Sequence, residues 1–163
     1  MISDLSKVHE LISDLFEWPK NEKDWDQYRL TGEQIAFFHE NGYLPNIKLL
    51  AHWQVAQLNE ELESITDPNQ PGMDLFYEFV SNESANPDTV LWNPAFVMAA
   101  SQLLGNNSVR FWHDQLFCKP AKHGGVVAWH QDYSYWTRSV PMQHLTCWVG
   151  LDDVDIDNGC LYY

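Results

Sequence analysis

Residues 125–136, GVVAWHQDYSYW, decide which fold the sequence predicts, because a run typical of a β-strand leads into a histidine and an aspartate. Val and aromatic residues favour a pleated, half-buried strand, so we predict a strand over 125–131. Side chains two positions apart on a strand point to the same face, about 6.5 to 7 Å apart along the chain. His130 and Asp132 are therefore predicted to converge on one point while Gln131 faces away.

Other segments share this β-strand character. They are rich in Val, aromatic and alternating polar residues, and turns separate them. This is the pattern of short antiparallel strands. We predict strands over 108–118, 144–152 and 159–163, with shorter strand-like runs at 73–80 and at Tyr43-Leu44.

The first part of the sequence shows the spacing of amphipathic helices instead. Apolar residues recur there every three or four positions, and capping residues mark several helix ends. The clearest cap is Thr31, because Gln34 follows it three positions later and completes a capping box. We predict helices from Ser3 towards Leu15, from the Thr31 cap to Asn41, over 49–65, and from Pro94 to Leu104.

Helices followed by strands predict an α+β fold. We expect a double-stranded β-helix (jelly roll, cupin-like) with the N-terminal helices packed outside it. The prediction is one domain over 1–163, with 1–105 mainly helical and 106–163 forming the first strands of the jelly roll. Because the last strand-like run reaches Tyr163 without a closing turn, we expect the C-terminal strands of the barrel to be missing. An open sheet edge would favour self-association.

Composition restricts the classes of partner. Nine Lys and Arg residues against 23 Asp and Glu residues give a formal net charge of −14, which repels nucleic acid and anionic membranes. Apolar stretches are shorter than the roughly 18 residues that span a bilayer, and the N-terminus lacks the order of a signal peptide. We expect a cytoplasmic protein. Its three cysteines are predicted to be reduced thiols.

The predicted convergence of His130 and Asp132 suits a divalent transition metal. Iron(II) is the predicted ion, because non-haem iron enzymes use two histidines and one carboxylate and leave three adjacent positions open. The structural alternative is a histidine whose second nitrogen is satisfied by the neighbouring carboxylate. The aromatic residues Tyr133, Tyr135 and Trp136 beside the pair favour a metal site.

Three longer motifs carry a resemblance to a known family. They are LTGEQIAFFHENGYLPNIKLL at 30–50, CKPAKHGGVVAWHQDYSYW at 118–136 and LTCWVGLDDVDIDNGCLYY at 145–163. In this order and spacing, the chain resembles the phytanoyl-CoA dioxygenase family of iron(II)- and 2-oxoglutarate-dependent oxygenases.

The resemblance assigns roles to individual residues. His130 and Asp132 match the first two metal ligands of the family. Trp148 matches an aromatic residue that contacts 2-oxoglutarate, and Trp136 matches one that lines the substrate side. The alkyl stem of Lys119 is a candidate for the cofactor pocket, and a solvated lysine at a strand end is the alternative.

Two further residues are candidates for the substrate pocket. His113 alternates with Phe111 and Gln115 along a predicted strand, so it faces either the pocket or a hydrogen-bonded core. Tyr133 directly follows the Asp132 ligand position.

The family's distal histidine ligand and its 2-oxoglutarate-binding arginine have no counterpart before Tyr163. The resemblance therefore implies an iron(II)- and 2-oxoglutarate-dependent dioxygenase that hydroxylates a small molecule, either active or an incomplete, inactive copy. The alternative is a non-catalytic jelly-roll fragment that binds a ligand or partner. A zinc hydrolase using the same pair is disfavoured by the aromatic surroundings.

Overall fold

The computed structural model describes residues 15–65, 75–77, 93–112, 116–118, 126–136 and 140–163. Helices account for most of the regular structure in these ranges. In chain order the elements are α1 (Glu22–Trp25), α2 (Gly32–Asn41), α3 (His52–Ile65), β1 (Leu75–Tyr77), α4 (Pro94–Leu103) and β2 (Leu116–Cys118), with 3-10 turns at Asp26–Tyr28 and Asp132–Ser134.

Helix α2 begins at the predicted capping box. The Thr31 hydroxyl accepts a hydrogen bond from the backbone N–H of Gln34 at 3.2 Å, and the Gln34 side chain accepts one from the backbone N–H of Thr31 at 2.9 Å. The helix ends at Gly42, whose φ of +81° is a left-handed conformation that glycine adopts without strain. The sequence prediction for this helix is confirmed at both ends.

Helix α4 is held in place by the asparagine that caps it. Asn93 is 2% exposed, and its side-chain oxygen accepts a hydrogen bond from the backbone N–H of Ala95 at 2.8 Å. Its amide nitrogen donates to the carbonyl of Leu49 at 2.6 Å, just before α3. One buried side chain therefore starts α4 and ties it to a distant segment.

Helix α3 begins three residues later than predicted, at His52. The side chain of Gln54 turns back to accept a hydrogen bond from the backbone N–H of Ala51 at 2.6 Å. The Ala51 carbonyl accepts from the N–H groups of Gln54 and Val55. Ala51 thus occupies the capping position, and the chain before it is free to bond with Asn93.

The core consists of two clusters that join the helices to the C-terminal segment. Leu145 packs against the cluster containing Leu30 and Leu103, and Leu151 packs against the cluster containing Leu58. The side chain of Asn59 in α3 also donates to the carbonyl of Leu151 at 3.0 Å. The segment from 145 to 151 is therefore fixed on the helical layer at both ends.

The predicted jelly roll is wrong. In the residues that the structure describes, the strands are one antiparallel pair of three residues each, with Phe76 opposite Phe117. The predicted strands over 125–131, 144–152 and 159–163 form no ladder in their described parts, and neither does Tyr43-Leu44.

The physical reason is that β-propensity measures how a side chain packs on a pleated surface, which needs a partner. Val126 is 89% exposed and Trp129 is 79% exposed, so this segment has no such surface to pack against. The helix predicted from Ser3 towards Leu15 lies outside the described residues except for Leu15 itself.

None of the described helices has both the length and the apolar character needed to cross a membrane.

Candidate functional site

One ring nitrogen of His130 forms a hydrogen bond with the backbone. Nδ1 lies 2.7 Å from the backbone carbonyl oxygen of Ala128. Because a carbonyl oxygen can only accept, Nδ1 carries a proton and donates it. In the neutral ring, Nε2 is then an acceptor with a free lone pair. Metal-binding histidines have this arrangement, in which a backbone carbonyl fixes the tautomer and the ring orientation.

Asp132 directly follows the predicted strand 125–131, whose described part forms no ladder. It begins a 3-10 turn, and its carbonyl accepts hydrogen bonds from the N–H groups of Tyr135 and Trp136. The two side chains converge nevertheless, because Gln131 between them is extended, with φ −123° and ψ 130°. Nε2 of His130 lies 3.4 Å from Oδ1 of Asp132.

Thr146 makes the second contact to this carboxylate. Its hydroxyl donates a hydrogen bond to Oδ2 of Asp132 at 2.8 Å. Thr146 is not among the site residues predicted from sequence. Its hydroxyl, in a predicted strand near the motif, is the only signal in the sequence that could have suggested it. The sequence does not show that this hydroxyl bonds to a carboxylate 14 positions away.

The donor set fits a divalent metal ion. Nε2 of a neutral imidazole and Oδ1 of a carboxylate are both acceptors, so their close approach is unfavourable unless a proton or a cation lies between them. A metal about 2.1 Å from each of two adjacent ligands separates them by about 3 Å, close to the observed distance. Among the described residues, no group of three or more His, Cys, Asp or Glu side chains could hold a metal. His130 and Asp132 are therefore the two candidate metal ligands in the described part of the chain.

One aromatic ring contacts the pair, and a second group of rings includes Trp136. Tyr135 contacts the His130 ring edge to face, with centroids 6.3 Å apart. The ring of Trp136 lies 5.7 Å from that of His144, which also contacts Trp112 at 6.4 Å. Tyr133 is 38% exposed. The predicted placement of Trp136 and Tyr133 in a substrate pocket stays a prediction.

The phenol of Tyr163 lies close enough to Asp132 for the charge of the carboxylate to affect it. Partial loss of water, followed by the charges of Asp132 and Cys147, raises the pKa of Tyr163 above its usual range. The Tyr163 ring stacks on Tyr43, just after α2, with centroids 4.7 Å apart and planes 6° from parallel. A stack of this kind ties the end of α2 to the neighbourhood of Asp132.

Trp148 lies in a separate cleft of about 220 Å³. The cleft is formed by the segment before α3 and includes Lys48 and Val55. The predicted contact of Trp148 with 2-oxoglutarate stays a prediction. Lys119 and His113 lie outside the described residues.

A larger cleft, of about 370 Å³, lies among the helices and has a structural role. Its buried polar side chains are Gln54 and Asn93, and the amide groups of both bond to the backbone. Gln54 joins Ala51 to Leu15, and Asn93 joins Ala95 to Leu49. Polar groups used in this way hold segments of the chain together.

A histidine and a carboxylate that face each other, each with its outer atom held by a hydrogen bond, define a candidate mononuclear metal site. The chain belongs to the phytanoyl-CoA dioxygenase (PhyH) family, whose model matches residues 38–163. The matched region contains His130, Asp132 and Thr146. No curated protein and no solved structure matched the chain in the corresponding searches. The family predicted from sequence is confirmed, and membership indicates an oxygenase of the iron(II)- and 2-oxoglutarate-dependent type.

Proposed function

We propose that this protein is an iron(II)- and 2-oxoglutarate-dependent dioxygenase that hydroxylates a small-molecule substrate. The observation that supports the proposal best is the 3.4 Å approach of His130 Nε2 to Asp132 Oδ1 within the region that matches the family. His130 and Asp132 would hold the iron.

The bound iron and 2-oxoglutarate would supply the oxidation, in which decarboxylation of the cosubstrate to succinate is coupled to hydroxylation of the substrate. The chain's own residues orient the two proposed metal ligands. Ala128 keeps the proton on the outer nitrogen of His130, and Asp132 supplies negative charge that favours a cation. The ring of Tyr135 packs edge to face against the imidazole and supports its orientation.

The substrate side is proposed to include Trp136, Tyr133 and His113, and the cosubstrate side Trp148 and Lys119. The net charge of −14 supports a small molecule rather than nucleic acid as the partner, and we propose a cytoplasmic location.

The proposal is tested by anaerobic addition of iron(II) and 2-oxoglutarate to the full chain. A weak visible charge-transfer band that needs both components is the expected result, since it reports cosubstrate chelated to protein-bound iron. The matched controls are His130→Ala and Asp132→Ala, which should lose the band. A band of equal strength in either variant, or its absence from the unsubstituted protein at saturating iron, would contradict the proposal.

A further inference from the structure

We infer that Thr146 is a positioning residue of the metal site, whose hydroxyl holds one oxygen of Asp132 so that the other faces His130. The inference rests on the proposed function, because it assumes that the pair binds a metal. It goes further by assigning the residue that sets which carboxylate oxygen is used.

The first step concerns the freedom of the carboxylate. The terminal torsion of an aspartate side chain is broad, so an unrestrained carboxylate can present either oxygen or both to a cation. Thr146 Oγ1 donates to Oδ2 at 2.8 Å, and Oδ1 is the oxygen that lies 3.4 Å from Nε2. The two oxygens thus have different partners, and one hydrogen bond selects the oxygen left for the metal.

The second step concerns the symmetry of the restraint. Each member of the pair has its outer polar atom bonded within the chain, His130 to the carbonyl of Ala128 and Asp132 to the hydroxyl of Thr146. Such outer contacts fix the direction of metal ligands, and their loss weakens metal binding. Ala128 acts through its backbone, so Thr146 is the side chain through which this restraint can be tested.

The third step concerns how firmly the hydroxyl is held. Thr146 follows Leu145, which packs on the cluster of Leu30, Ala99 and Leu103, and it precedes Leu151 in the second cluster. The helical layer therefore positions the segment that carries the hydroxyl. Because Thr146 itself is exposed, water competes for the hydrogen bond and we place the effect of losing it at the lower end of the usual range.

The test compares Thr146→Val, which keeps the shape and removes the hydroxyl, with Thr146→Ser, which keeps the hydroxyl. The readout is the dissociation constant of Co²⁺, measured by isothermal titration and by the visible absorption of the bound ion. We expect about a tenfold weaker constant for the Val variant and a constant within about threefold of the unsubstituted protein for the Ser variant. Circular dichroism and the thermal midpoint of each variant report whether it is folded.

The outcomes separate the two claims. Equal Co²⁺ affinity in a folded Val variant and the unsubstituted protein overturns the role of Thr146 and leaves the metal pair intact. Equal weakening in the Val and Ser variants also overturns it, because the hydroxyl would then not be the cause. Failure of the unsubstituted protein to bind Co²⁺ overturns the proposed function and this inference together.

Discussion

Nε2 of His130 and Oδ1 of Asp132 lie 3.4 Å apart, with 41% and 37% of the two side chains exposed. The pair is therefore open enough for an ion to enter. It is also restrained, because a backbone carbonyl and a hydroxyl hold the outer atoms.

Removing the cap of α2 should destabilise the protein. Thr31→Ala deletes the hydroxyl that accepts the N–H of Gln34, and such a loss costs about 1 kcal/mol of the free energy of unfolding. Thr31→Ser keeps the acceptor and is the matched control. Urea unfolding followed by circular dichroism compares them, and a Ser variant as unstable as the Ala variant would argue against the cap.

Asn93→Ala should be more damaging than the loss of an exposed asparagine. It leaves the carbonyl of Leu49 without its donor in a buried setting, at a cost of about 2 kcal/mol in the free energy of unfolding. Asn107→Ala is the control, because Asn107 makes a comparable bond to the carbonyl of Leu104 on the surface. Equal losses from the two substitutions would show that burial of Asn93 adds nothing.

Cys147 should react slowly with alkylating reagents. Although much of the residue is exposed, burial of the thiol raises its pKa from 9.0 to about 11. The reactive thiolate at about pH 8 is then about a hundredfold scarcer than in an unperturbed thiol. Iodoacetamide kinetics in a Cys118→Ser, Cys160→Ser protein measures this, with the urea-unfolded protein as the control.

The raised pKa of Cys147 also makes the free energy of unfolding depend on pH. The native state holds the Cys147 proton more tightly than the unfolded chain, so this contribution to stability is complete below about pH 9 and is lost between about pH 9 and 11. An alkylation midpoint near 9 in the native protein would contradict both expectations.

Structural features formed by residues close together in the chain could be predicted from the sequence. The capping box of Thr31 and Gln34 and the Asn93 cap before Pro94 involve residues within three positions of one another. The approach of His130 and Asp132 was also predicted, although for a strand rather than an extended residue followed by a 3-10 turn. One intervening extended residue is sufficient to bring the two side chains together.

Features that need distant partners were not predictable. The jelly roll failed because strand-like composition cannot supply the neighbouring strand that a ladder requires, and Trp129 is exposed as a result. The bond from Thr146 to Asp132 spans 14 positions and depends on how Leu145 and Leu151 pack on the helices. No local pattern encodes that distance.

The central claim is that His130 and Asp132 bind the metal, and paramagnetic broadening of histidine side-chain nitrogens tests it most directly. The protein has seven histidines, which long-range proton–nitrogen spectra resolve individually. Under anaerobic conditions, the account predicts that substoichiometric iron(II) broadens the resonances of His130 before those of the other six, and that Asp132→Ala removes this preference. Broadening spread evenly over all seven, or centred on another histidine, would contradict the account.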